Sequence, residues 1–334
     1  MKRIRWISLL LGVCLLTAGC APKEALPAAA EGETSLFAEQ KKAADVCVIR
    51  RKEHWQGLLL FTGGDTRPVT DCVNALRERL GEYIRIHLIP VPLAGLYSLP
   101  ERYEKNRQAQ QDFLSGLEKS LDKGVEYVDL AEEFRKHQTE DLFLRTDTGL
   151  TSRGAYYAAR SFIQSAGLSP FPFKKYTFTV SGSFCGALGD ISGDERLLSD
   201  PEQKEACLSP IPFRIDYYDK DMGYRRTTRY DPKEKTLPGS PGAEEVILRL
   251  QTEKKERRKL LVFSDDVGQS LLPFLIGPFS EIYVFDINSV DFDLVRFIIE
   301  KKITDIAATA SVQTLSTGQF SALQSAVRSV RSSK

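Results

Sequence analysis

Short β-type runs alternate with amphipathic stretches along most of this chain, and that alternation admits few folds. The β-type runs lie at residues 84–91, 125–130, 259–264, 281–286 and 305–310. Helical patterns lie at 70–80, 104–121, 152–165, 270–276 and 292–301. Strands that alternate with helices predict an α/β domain with a mostly parallel sheet covered on both faces, in three layers. Ligand sites in such sheets sit at the carboxyl ends of strands, where Ser264, Asp265, Asp266 and Asp286 fall. Residues 171–242 break the rhythm. They are rich in Pro, Gly and Tyr, with β-type runs at 176–180, 213–218 and 224–230, and predict a β-rich antiparallel insertion beside the main sheet. The domain is expected to run from 46 to 316, and the tail, 317–334, carries one amphipathic helix at 319–330.

The N-terminus has the form of an export signal. Lys2, Arg3 and Arg5 precede an apolar run, 6–16, too short for a stable transmembrane helix. The run ends in Leu16-Thr17-Ala18-Gly19-Cys20, which reads as a lipobox. Residues 1–19 are then a lipoprotein signal peptide, Cys20 the lipid anchor and 20–45 a tether. The competing reading is an ordinary secretory signal cleaved elsewhere. Either way the mature chain is expected outside the cytoplasm, and in the first case on the extracytoplasmic face of a bacterial cell membrane.

The formal charge is +1, and removing the three signal cations leaves −2, so no strong field recruits nucleic acid. Four cysteines lie beyond Cys20: Cys47, Cys72, Cys185 and Cys207. Sequence proximity favours disulfides Cys47–Cys72 and Cys185–Cys207, against free buried thiols. None forms a CxxC pair, so zinc is not expected, and no cofactor is implied.

Two segments have the outline of a serine-esterase site. One is Leu142-Phe143-Leu144-Arg145-Thr146-Asp147-Thr148-Gly149-Leu150-Thr151. The other runs from Leu260 through Ser264-Asp265-Asp266-Val267-Gly268-Gln269-Ser270 to Phe274. With Leu88-Ile89-Pro90-Val91-Pro92, Val128-Asp129-Leu130, Glu281 to Asp286 and Lys302 to Asp305, they stand in the order found in the DHHW-motif proteins. The chain therefore resembles that SGNH-hydrolase-like family, related to the alginate O-acetylation proteins, over about residues 46–315. The first segment takes the place of T-D-H-H-W-T and the second that of K-D-S-Y-G-N-S-L-x-P-F.

The resemblance implies an acyl-handling site in which the motif Asp orients a histidine that serves a serine. Asp147 keeps the Asp position, Gly149 stands where the histidine would be, Leu150 where the tryptophan would be and Asp266 where the serine would be. A hydroxyl nucleophile needs a base within hydrogen-bond reach and a group to orient that base. Only the orienting group remains, which predicts a degenerate site with no assignable catalytic residue.

Substitutes are few. His54 sits in a polar turn, His87 in a strand and His137 at a helix end, each as readily structural as catalytic. Thr62-Gly63-Gly64-Asp65 resembles a G-D-S block, or else is a glycine turn with Asp65 capping the segment after it. Asp265 and Asp266 could hold a hard cation near Asp147 or Asp286, or one of them, Asp266, could cap the following helix. Arg225, Arg226 and Arg229, with Tyr217, Tyr218, Tyr224 and Tyr230 near them, suit an acidic glycan or an ordinary exposed hairpin. Three functional expectations result. The first is a catalytically inactive lipoprotein that binds a surface glycan or assists a membrane-bound O-acyltransferase. The second is an active acetyltransferase, esterase or cation-dependent hydrolase with relocated chemistry. The third is a structural envelope protein.

Overall fold

The computed structural model describes residues 46–233, 245–253, 258–286 and 294–318, without the side chains of residues 181, 204 and 286. The expected signal peptide, Cys20, the tether, residues 234–242 of the insertion, the Asp286 side chain and the 319–330 helix lie outside the described residues.

The strands are β1 (Val46–Arg51), β2 (His54–Leu59), β3 (Arg85–Val91), β4 (Val125–Tyr127), β5 (Thr177–Phe184), β6 (Glu202–Leu208), β7 (Phe213–Tyr218), β8 (Tyr224–Tyr230), β9 (Ile247–Thr252), β10 (Lys259–Ser264), β11 (Glu281–Asp286) and β12 (Asp305–Ser311). The helices are α1 (Arg67–Leu80), α2 (Gly95–Ser98), α3 (Glu104–Lys119), α4 (Leu130–Lys136), α5 (Ser152–Ser165), α6 (Ala187–Ser192), α7 (Glu195–Leu198), α8 (Asp266–Gln269), α9 (Leu272–Leu275), α10 (Leu294–Lys301) and α11 (Val312–Ser316).

The central sheet has eight strands in the order β4-β3-β12-β10-β11-β9-β7-β8. The first five are parallel, and β9, β7 and β8 continue antiparallel. Successive strand residues point to opposite faces, and the two faces feed separate cores. On one, Leu260 and Val262 pack with Phe134 of α4, Phe162 of α5 and Phe274 of α9. On the other, Leu261 and Phe263 pack with Leu76 of α1, Phe113 of α3 and Phe297 of α10. The molecule is thus the expected three-layer α/β fold with a mostly parallel sheet.

This arrangement places a switch point at β10. The chain leaves β10 through α8 and α9 on one face to reach β11. It returns through α10 on the other face to reach β12, on the opposite flank of β10. Diverging connections of this kind are expected to leave a crevice at the carboxyl end of β10.

Local chemistry corrects several boundaries. The run at 125–130 ends as a strand at Tyr127, because Asp129 caps α4 by accepting from the Glu132 amide at 2.9 Å. The helix read at 270–276 is two short helices, since a cap at Asp265 starts α8 early and Pro273 opens α9. The β1–β2 hairpin, β6 and β9 were not read from the sequence. Of the insertion, β5 and β6 form a separate hairpin, while β7 and β8 join the sheet edge.

Neither expected disulfide is formed; all four residues carry thiols. Cys47 packs with Leu58 and Leu99 in a small satellite core, whereas Cys72 of α1 faces the sheet. In the hairpin, Phe178 pairs with Cys207 and Phe184 with Glu202. Cys185 therefore lies at the opposite end from Cys207, about 20 Å away at strand rise, far beyond disulfide reach. Burial pushes the Cys207 thiol up and keeps it protonated.

Candidate functional site

The first turn is a tight hairpin. Phe143 bridges Leu150, the Leu144 amide donates to Gly149 O at 3.0 Å, and the Thr151 amide to Leu142 O at 3.0 Å. Thr151 then caps α5, its Oγ1 accepting from the Gly154 amide at 3.1 Å. Gly154 is required, because a Cβ there would fall 2.1 Å from Leu142 O.

Glu202, at the start of β6, clamps this turn. One oxygen accepts from the Thr146 amide at 2.7 Å and from Thr146 Oγ1 at 2.6 Å; the other accepts from the Arg145 amide at 2.9 Å. Thr146 Oγ1 in turn accepts from the Gly186 amide at 2.9 Å. Asp147 completes the joint. Its Oδ1 accepts from the Gly149 amide at 3.2 Å and its Oδ2 from the Ala187 amide, also at 3.2 Å. A Cβ on Gly186 would lie 2.4 Å from Asp147 Oδ2, so only glycine lets the carboxylate reach α6. The motif aspartate is thus bonded to backbone, and seats the β5–β6 insertion on the turn.

Gly149 is buried, and a Cβ built there would meet Leu144 Cδ1 at 3.1 Å and Asp147 Oδ1 at 3.8 Å. Its backbone is not in the left-handed region, so no conformational requirement selects glycine.

The second turn sits at the carboxyl end of β10. Asp265, and not Asp266, caps α8: its Oδ1 accepts from the Gly268 amide at 2.8 Å. Its Oδ2 accepts from the Ser311 amide at 2.9 Å and from Thr314 Oγ1 at 2.7 Å, at the start of α11. One carboxylate therefore serves two helix starts. With both oxygens engaged by donors, Asp265 is poorly placed to ligate a cation, and no cluster of His, Cys, Asp or Glu able to hold a metal occurs among the described residues. Asp266 is exposed at the first position of α8, where a negative charge suits the helix start. Gly268 is required here too, since a Cβ would lie 2.3 Å from Thr309 O. Phe143 and Leu150 of the first turn share one core with Val267 and Leu271 of the second.

The three histidines are engaged elsewhere. His54 Nδ1 lies 3.0 Å from Asp200 Oδ1. His137 stacks on Tyr157, ring centres 3.8 Å apart, with Nδ1 2.8 Å from Glu140 Oε1. His87 Nδ1 is 3.3 Å from Ser165 Oγ, which gives a serine–imidazole pair, but not one in the crevice. That pair lies toward the amino ends of the strands, and His87 is fully buried. Burial lowers its pKa to about 4, which makes it a weak base.

Asp65 accepts from the Arg67 amide and guanidinium at the start of α1, and the guanidinium holds its carboxyl below the usual range. The arginine–tyrosine segment is a hairpin at the sheet edge. Arg226 covers the Tyr217 ring at 3.8 Å and pairs with Glu245, and Tyr230 is buried. Tyr224 is the exposed ring of the four, so no row of open tyrosines forms.

Sequence reading missed Glu202, which lies 56 residues from its partner Thr146, and so gave no local signal. It also missed Ser311-Val312-Gln313-Thr314, where a serine after a strand and a hydroxyl three residues later could have been read as a helix start.

The fold and the two turns define an α/β protein with a mostly parallel central sheet. Within that class the chain resembles the DHHW family, as the order of its motifs implied. A solved DHHW family protein from Eubacterium siraeum is 26% identical, with a TM-score of 0.75, over 84% of this chain and 94% of that one. Bacillus cereus PatB1, solved with a sulfonyl adduct, is 14% identical with a TM-score of 0.59, over 82% and 97% of the two chains. The O-acetyltransferase domain of Pseudomonas putida AlgJ is 12% identical with a TM-score of 0.47, over 81% and 92%. No family model and no curated protein matches the chain.

Proposed function

We propose that this protein is a membrane-anchored, extracytoplasmic SGNH-like protein that has given up acyl-transfer chemistry. It acts by binding a cell-surface glycan or by assisting a polysaccharide O-acetylation machinery. One observation carries the reading. The carboxylate that the resemblance assigns to orienting an imidazole is bonded to the Gly149 and Ala187 amides, beside a position without a side chain. The exposed carboxylate of Asp266 at the nucleophile position supports it. In a serine hydrolase, loss of the serine or histidine alone lowers turnover about a millionfold.

The test is hydrolysis of acetyl esters by the parent and by Gly149→His/Asp266→Ser. The added Cβ is tight against the flexible end of Leu144 and in ordinary contact with Asp147 Oδ1, and the backbone tolerates an L residue. The parent is expected at background and the double variant measurably above it. Ordinary esterase turnover by the parent refutes the reading, and its loss in Asp266→Asn would transfer the chemistry to that carboxylate. Co-sedimentation with cell-wall and exopolysaccharide fractions then separates glycan binding from a purely structural role.

A further inference from the structure

Ser264 ends β10 and Thr309 lies beside it in β12, as register partners in a parallel pair. Their side chains point to the same face, the one that carries α8 and α9. Ser264 is 0% and Thr309 1% exposed, and neither hydroxyl has a hydrogen-bond partner among the described residues. A buried hydroxyl left unsatisfied is destabilising, so two side by side require an explanation.

The spacing supplies one. Neighbouring strands lie about 4.8 Å apart, and the two hydroxyls on these register partners make no direct hydrogen bond to each other. Two such bonds meeting at a tetrahedral oxygen span about 4.6 Å, which matches. Gly268 of α8 faces the same spot: a Cβ on it would lie 3.0 Å from Ser264 Cβ and 2.9 Å from Thr309 Cγ2. The glycine lets the α8 backbone pack against the pair and shield it from bulk solvent.

We infer that Ser264 and Thr309 hold an internal water molecule beneath the second turn, as a built-in part of the strand-end crevice. Buried waters of this kind satisfy two to four polar groups and are costly to remove. This one ties β10 to β12 one residue before Asp265, whose carboxylate also joins the two strand ends by accepting from the Ser311 amide. Its role is the same whether or not the protein is catalytic.

The test is a double-mutant cycle in the full chain, with Ser264→Ala, Thr309→Val and the pair, read by urea unfolding. A bridging water predicts that each single substitution lowers the folding constant about tenfold, because the other hydroxyl and the water lose a partner. The pair is then less harmful than the two singles combined, since an apolar floor no longer needs the water. Single substitutions that stabilise the fold, with additive effects, would overturn the inference. A crystal structure gives the second measurement: density for a water within bonding distance of both hydroxyls supports it. A direct bond between them, or a dry gap, overturns it.

Discussion

His87 carries a cost that depends on pH. Its pKa in the fold is about 4, against about 6.5 for an unfolded chain, because burial disfavours the cation. Between these values the unfolded chain binds more protons, so stability falls as pH drops from about 6.5 to about 4. The full loss is about 3 kcal/mol, and above pH 6.5 the residue contributes no slope. His87→Leu is expected to flatten urea-unfolding stability between pH 6.5 and 4. An unchanged slope would locate acid sensitivity elsewhere. The cap at Asp265 is testable at the same scale. Asp265→Ala removes three accepted bonds and should cost about 2–4 kcal/mol. A cost below about 1 kcal/mol by denaturant titration would contradict the assignment of the cap.

Among elements, what was legible follows from periodicity. The runs at 259–264, 281–286, 213–218 and 224–230 became β10, β11, β7 and β8 without change, because each is a continuous β-type run bounded by turn chemistry. The helix at 152–165 was equally clear, with Thr151 as its cap. The β1–β2 hairpin was obscured because its turn, Lys52-Glu53, is charged and Lys52 takes positive φ without a glycine to announce it. The site divided in the same way. Positions 147, 149, 265 and 266 were found from motif order, but their partners Glu202, Ala187 and Ser311 are distant in sequence. Which of two adjacent aspartates caps a helix depends on where the strand stops, and that is a property of the sheet. Glu202→Gln tests the joint between turn and insertion: faster hydrogen exchange is expected at the Arg145 and Thr146 amides, with the α5 amides unchanged.

For the molecule as a whole, stability is expected to be independent of disulfides. Alkylation after unfolding without reductant should label Cys47, Cys72, Cys185 and Cys207, as read by peptide mass spectrometry. Recovery of a Cys185–Cys207 linked peptide would mean that the β5–β6 hairpin is rearranged. The two cores on either face of an eight-stranded sheet make such staples unnecessary, since a chain of this length buries enough apolar surface without them.

The Asp147 joint has a consequence for how such proteins diverge. An aspartate that anchors an insertion to the scaffold has a mechanical duty independent of any reaction beside it. On the proposed reading, chemistry can be lost while this acidic residue stays fixed. Its presence in a sequence therefore records an intact joint, and by itself is no evidence of turnover.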